Sequence, residues 1–225
     1  MSQLGSDQEQ DAAGFVLAGG RSSRMGEEKA LVLLDGRPLV AHALGVLREA
    51  GLPVSVAGAR SPLAAFAPVV EDAKPGQGPL AGVCAALAST SARLAVFLPV
   101  DLPLLPVVLL DCLLDHARIT GRAVTVPSVN GFAQTFPAVV DRAALPALLK
   151  ELEAGHRGCL SGFRTAAASL NEAVTVLPVE MAVQSGRIAH PQGLVAAYWF
   201  LNVNGPADLQ RAAALHQAPN RALIG

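Results

Sequence analysis

Short apolar runs that stop abruptly at glycine, proline or an acid constrain the fold of this chain more than any other feature. Gly14–Ala18 (GFVLA) ends at Gly19-Gly20, and Leu94–Leu98 (LAVFL) ends at Pro99-Val100-Asp101. Pro53–Ala57 and Ala67–Val70 are shorter runs of the same kind. Each is too short for a stable helix, and unbroken apolar character over so few residues marks a strand covered on both faces. Helical spacing fills the intervals. Pro38 opens a stripe of Leu39, Val40, Ala43, Leu44, Val46 and Leu47 that Gly51 closes, and Pro79–Ala88 follows a Pro/Gly-rich turn. Covered strands alternating with helices predict a parallel α/β sheet with right-handed crossovers, whose ligands bind beyond the carboxyl ends of the strands.

The second half repeats the theme less regularly. Helices are expected over Pro106–Ile119, Ala143–Leu152 and Pro206–Leu215, and strands over Ala123–Val126 and Thr135–Val140, with the regular pattern weakening after Ala173–Pro178. Met181–Tyr198 reads as an irregular excursion before Trp199–Val203. The 225 residues are therefore expected to form a single domain over 13–225, preceded by a disordered polar tail over 1–12 that carries Asp7, Glu9 and Asp11.

Composition excludes several classes of function. Although 52% of residues are hydrophobic, no run of about 18 apolar residues occurs, so no membrane-spanning helix is expected. The polar, acidic start lacks the basic and apolar regions of a secretory signal, which points to the cytoplasm. A net charge of −1 offers nucleic acid no general attraction. Cys84, Cys112 and Cys159 lie far apart in no ligand spacing, the five histidines are scattered, and neither set predicts a zinc site or a disulfide.

The chemistry concentrates in three segments. Leu17–Leu31 (LAGGRSSRMGEEKAL) follows the first strand directly. Gly19 and Gly20 allow backbone N–H groups to turn toward an anion, while Arg24 and Lys29 supply a forked donor and a point charge. Lys29 is one of three lysines in the chain, with Lys74 and Lys150. The segment is a phosphate cradle distinct from GxxxxGK[ST], since no Ser or Thr follows Lys29, and from the GxGxxG fingerprint. The bland alternative is a plain turn with solvated basic residues. Asp101, flanked by prolines in LPVDLPLLP, stands at the carboxyl end of a strand, where one carboxylate plus substrate phosphates suits Mg²⁺. Its alternative role is to cap the helix beginning near Pro106. Glu71–Gly82 (EDAKPGQGPLAG) follows another strand. There Gly76 and Gly78 permit close approach of a flat base and Asp72 offers acceptors to a purine edge, although a tight turn into a helix would read the same way.

Taken in order, these segments resemble the molybdenum cofactor guanylyltransferases from about Gly14 to about Arg211. LAGGxSxRMGxxKAL matches Leu17–Leu31, the acidic residue and PGxGPLAG turn match Glu71–Gly82, P-x-D-x-P matches Pro99–Pro103, and F-x-N-x-N-x-P matches Phe200–Pro206 (FLNVNGP). The resemblance implies a Rossmann-like, three-layer α/β/α fold of the nucleotide-diphospho-sugar transferase type, with a mainly parallel central sheet. It implies transfer of GMP from Mg-GTP to molybdopterin with release of pyrophosphate, and hand-over of the product to a molybdoenzyme or delivery protein. By motif position, Leu17, Ala18, Gly19 and Gly20 would meet the nucleotide and Lys29 its phosphates. Asp72 and Gly78 would meet the guanosine portion, and Asp101 both GTP and the Mg²⁺ cofactor. Arg24, Lys29 and Asp101 are the catalytic candidates, while Gln134–Pro137 and Arg157 lie where the family approaches its pterin substrate. Two departures stand out. Ala57-Gly58-Ala59 lacks the Asn common in that loop, and Gly205 replaces the usual Thr. The rival readings are a CTP-using molybdopterin cytidylyltransferase, another small-molecule nucleotidyltransferase such as those acting on sugar 1-phosphates or methylerythritol phosphate, and a nucleotide-binding module without catalysis.

Overall fold

The computed structural model describes residues 11–18, 29–58, 61–71 and 78–217. Seven strands form its main sheet in the order β10 (Thr175–Pro178), β7 (Val124–Val129), β9 (Ala138–Asp141), β6 (Leu94–Pro99), β1 (Ala12–Leu17), β4 (Val54–Ala57) and β5 (Val69–Val70). An eighth strand, β8 (Phe132–Ala133), pairs with β7 as a hairpin. The neighbours β6, β1, β4 and β5 are parallel, as are β10 and β7, whereas β9 runs antiparallel between β6 and β7. The sheet is thus mainly parallel, as the covered apolar runs require.

The pleat explains why those runs are unbroken. Along β6, Leu94, Val96 and Leu98 enter one core while Ala95 and Phe97 enter the other, because successive side chains of a strand point to opposite faces. The first core is closed by α1 (Leu39–Glu49) and α3 (Val107–Thr120). The second is closed by α2 (Pro79–Ser89), α4 (Leu145–Glu153) and α5 (Cys159–Ser169). The result is three layers, α/β/α, with one sheet separating two apolar cores. All three cysteines are buried, and burial pushes the Cys159 thiol up to about 12. No described helix is long and apolar enough to cross a membrane.

The strand order places the site. From β1 the chain passes through β4 and β5 on one side and then crosses to β6 on the other, so β1 is the point at which the direction of winding reverses. Adjacent crossovers leave a crevice there, at the carboxyl ends of β1 and β6.

Three features depart from the sequence reading. A hairpin formed by β2 (Leu33–Leu34) and β3 (Arg37–Pro38) precedes α1, and α5 is a helix where none is expected. The excursion over 181–198 is woven into the core: it contains most of α6 (Val179–Gln184), leads into α7 (Ala196–Trp199), and buries Ala182, Ile188 and Ala196. His190 welds its middle to the rest. Its Nδ1 accepts the Gln192 N–H (3.1 Å), so Nε2 carries the proton and donates to the Leu104 carbonyl (3.1 Å). Burial lowers the pKa of this imidazole, favouring the neutral form that the arrangement needs. The Trp199 indole N–H closes the segment on the Leu194 carbonyl at 2.8 Å.

The tail boundary also moves. Residues 1–10 lie outside the described residues, but Ala12 is buried within β1, and Asp11 accepts from Arg93 (3.1 Å) and Arg118 (3.2 Å). Partial desolvation opposes ionisation of Asp11, yet the hydrogen bonds from Arg118 and Arg93 outweigh it and hold the carboxyl below its ordinary value of 3.8. A depressed carboxyl stabilises the fold above its ordinary range, and that contribution disappears as pH falls through the folded-state value. These groups are well exposed, so Asp11→Asn is expected to cost no more than about 1 kcal/mol at neutral pH, or about 2–4 °C in Tm. Thermal unfolding of variant and wild type should converge as pH falls through the lowered folded-state value of Asp11.

Candidate functional site

The crevice at β1 and β6 holds one dominant polar constellation. Lys29 opens a single 3₁₀ turn, Lys29–Leu31, anchored by the buried Ala30. Its ammonium Nζ donates to Asp101 Oδ2 at 2.9 Å and to Asn204 Oδ1 at 2.8 Å. These partners lie 72 and 175 positions away in sequence, so the contact is a product of the fold. The Lys29 and Asp101 side chains are 20% and 23% exposed, which leaves both open to a ligand.

Asp101 owes its position to its neighbours. Val100, Leu102, Leu104 and Leu105 are all buried, so the acid is the one polar side chain that this apolar segment presents to the crevice. The Val100 N–H donates to the Leu17 carbonyl (3.3 Å), which sets the end of β1 one residue from Asp101. The Asp101 carbonyl accepts the N–H of the buried Val203 (2.9 Å), and this draws the Phe200–Pro206 segment onto the site. The capping role is excluded, because α3 has Pro106 at its N-cap and no side-chain cap.

Asn204 is the functional residue that the sequence reading does not select, although its segment is recognised. Its N–H donates to Asp208 Oδ2 (2.9 Å), near the start of α8 (Pro206–Gln217), so that helix presents its amide oxygen to Lys29. An ammonium has three N–H donors. Two are engaged here, leaving one for an incoming anion.

The remaining candidates divide by location. Leu17 and Ala18 stand at the carboxyl end of β1, where the Ala18 N–H completes the pairing with the Ala57 carbonyl (3.2 Å). Gly19, Gly20, Arg24 and Asp72 lie outside the described residues, as does Ala59. Gly78 caps α2 at φ +82°, and a Cβ added to it would stand 3.5 Å from the Arg157 Cβ. The turn and Arg157, which are separate in the sequence reading, therefore adjoin each other. Gln134 is held in the β7–β8 region by its N–H on the Pro127 carbonyl (2.8 Å) and its side-chain amide on the Phe132 carbonyl (3.0 Å). A Cβ added to Gly205 would meet nothing closer than the Asp208 carboxylate at 4.0 Å, so the missing Thr leaves room without distorting the turn.

Among the described residues no cluster of three or more His, Cys, Asp or Glu side chains could cage a metal. A single carboxylate completed by substrate phosphates and water nonetheless matches Mg²⁺ coordination, and Asp101 is an oxygen donor placed for it. A cavity of about 420 Å³ between α1 and the Pro103–Val107 segment includes neither Lys29 nor Asp101, and so is separate from this chemistry.

Comparison with known proteins now decides the family. Residues 14–161 match the MobA-like NTP transferase domain, which is more than half of the chain. The chain belongs to this family. A molybdenum cofactor guanylyltransferase from Xanthomonas euvesicatoria is 47% identical over 107 residues, covering 47% of this chain and 54% of that protein, so the match spans about half its length. A probable molybdenum cofactor guanylyltransferase from Pelotomaculum thermopropionicum is 29% identical over 210 residues, covering 91% of this chain and 93% of that protein. The crystal structure of molybdopterin-guanine dinucleotide biosynthesis protein A from Archaeoglobus fulgidus superposes with a TM-score of 0.72 at 23% identity, covering 91% of this chain and 98% of that one. This likeness establishes the nucleotidyltransferase fold for the MobA-like chain. Asp101 and Gly78 fall within the matched span, whereas Asn204 lies beyond it.

The conformation of Gly78 yields a local test. At φ +82° a side chain is strained whatever the space around it, so Gly78→Ala is expected to destabilise the protein by about 1 kcal/mol or more. Thermal unfolding should show a fall of at least about 2 °C.

Proposed function

We propose that this MobA-like chain is a molybdenum cofactor guanylyltransferase, transferring GMP from Mg-GTP to the terminal phosphate of molybdopterin and releasing pyrophosphate. The observation that carries the reading is the Lys29 ammonium bridging Asp101 and Asn204 at the winding reversal of the sheet. Family membership and the full-length relative support it.

The chemistry is governed by charge. The acceptor phosphate is already anionic near neutral pH and needs no general base. Its oxygen forms a new bond to the α-phosphorus of GTP, the bond from that phosphorus to the β-phosphate oxygen breaks, and pyrophosphate leaves with the electron pair. The barrier to be lowered is repulsion between anions. Lys29, through its free N–H donor, would hold a phosphate oxygen and neutralise charge that develops on the leaving group. Asp101 would hold Mg²⁺, which when bound neutralises triphosphate charge and orients the phosphates. Leu17 and Ala18 would border the nucleotide, and Gly19, Gly20, Arg24 and Asp72 would complete the nucleotide site by motif position. Gly78 and Arg157 would border the substrates on the side of α2. A cytoplasmic location and delivery of the product to a molybdoenzyme go with this reading.

The test is an assay presenting molybdopterin and Mg²⁺ with each of the four NTPs, the dinucleotide being identified by mass. Product from GTP alone is the expected result. Product from CTP would make the chain a cytidylyltransferase, and nucleotide binding without any product would make it a binding module. Lys29→Ala and Asp101→Ala are each expected to lower kcat by roughly 10²-fold or more, the scale of a lost electrostatic stabiliser. Near-normal turnover in either variant would remove that residue from the mechanism.

A further inference from the structure

Helix α8 reaches the Lys29 segment at both ends. Near its start, Asn204 accepts from the Lys29 ammonium and is itself tied to Asp208. At its far end, His216 Nδ1 and Gln217 Nε2 both reach the Asp35 carboxylate, His216 to Oδ2 at 2.8 Å and Gln217 to Oδ1 at 2.5 Å. Asp35 is six residues beyond Lys29, across the 3₁₀ turn and β2. A helix of 12 residues spans about 18 Å, so α8 acts as a brace between two points of one short segment.

The apolar grip of this helix is weak. Ala212 is its one fully buried hydrophobic residue, while Leu209, Ala213 and Leu215 are only partly buried against the core. Its placement therefore depends heavily on the polar contacts at its two ends. Gln192 adds a third, donating to the His216 carbonyl at 3.1 Å.

The acid at Asp35 exceeds what its turn requires. Asp35 (φ +50°) and Gly36 (φ +75°) form a two-residue hairpin loop with both residues left-handed, between the paired Leu34 and Arg37. Such type I′ turns accept Asn, Gly or Asp at the first position. The clasp uses both carboxylate oxygens, and the hydrogen bonds from Gln217 and His216 hold the Asp35 carboxyl below its ordinary range against a smaller opposing desolvation.

We infer that Asp35 and His216 are positioning residues for Lys29: their clasp fixes α8, and α8 fixes Asn204 and the ammonium that it orients. The inference rests on the proposed nucleotidyl transfer for its catalytic consequence, and on geometry alone for its structural one.

Asp35→Gly preserves the left-handed turn and removes the clasp, Asp35→Asn preserves both the turn and an acceptor, and His216→Ala opens the clasp from the other side. In the transfer assay with GTP, Asp35→Gly and His216→Ala should each lower kcat on the order of tenfold, as expected for a misplaced catalytic group. Asp35→Asn should recover most of that loss. Combining Asp35→Gly with Asn204→Ala should cost less than the product of the single effects, since both act on the same ammonium. A kcat within about twofold of wild type in both clasp variants, or fully multiplicative effects in the double variant, would overturn the inference. A second arm is independent of catalysis: amide hydrogen exchange across residues 29–34 should be several-fold faster, by rough estimate, in His216→Ala than in wild type. Unchanged exchange there would overturn the brace even if the wild-type chain transferred no nucleotide, an outcome that would separately remove the proposed function.

Discussion

The ammonium of Lys29 is the knot on which the site depends. Its two hydrogen bonds join the segment after β1, the carboxyl end of β6 and the approach to α8, three parts of the chain with no local reason to meet. Asp101 supplies the opposite charge that pairs with the ammonium, while Asn204 supplies a neutral acceptor that fixes its direction. Because the pair is about one-fifth exposed, it avoids the full desolvation cost of a buried ion pair while remaining less screened than a surface one.

That knot is possible because the sheet delivers its parts. Winding outward from β1 in both directions leaves the ends of β1 and β6 side by side, so the Leu17 carbonyl accepts the N–H of Val100, the residue before Asp101. The two cores make this arrangement stiff. Phe97 and Leu98, neighbours in sequence, are locked on opposite faces of the sheet, and the strand that ends at Asp101 cannot rotate without expelling one of them.

How much of this can be read from the chain follows the same physics. β1, β4 and β6 are legible because strands covered on both faces are unbroken apolar runs, and Asp101 is legible because it interrupts one just where a ligand should lie. Lys29 stands out by its place after the opening strand. Asn204 does not, since Asn-x-Asn-Gly-Pro reads locally as turn chemistry, and its tie to the site, through the Val203 N–H on the Asp101 carbonyl and the Lys29 ammonium, exists only in the fold. α5 is hidden by Gly158 and Gly162. The second of these breaks the helical pattern for a packing reason, as a Cβ there would stand 3.3 Å from Leu80. The β2–β3 hairpin carries its Asp-Gly signal, but strands of two residues leave no period to recognise. The 181–198 excursion looks irregular because it packs through scattered anchors such as Ile188 and His190 in place of one repeating face.

A catalyst that joins two anions must keep positive charge ready without letting it destabilise the empty protein. Asp101 answers both needs in the proposed reaction. With no nucleotide bound it neutralises Lys29, so neither charge stands alone in the crevice. Its carboxylate is also the oxygen donor suited to Mg²⁺, so one side chain can serve the ammonium in one state and the cation in the other. For that exchange to be productive, Lys29 must stay in place when Asp101 turns to the metal. The second acceptor, Asn204, held by Asp208 at the head of α8, is what makes its position independent of Asp101.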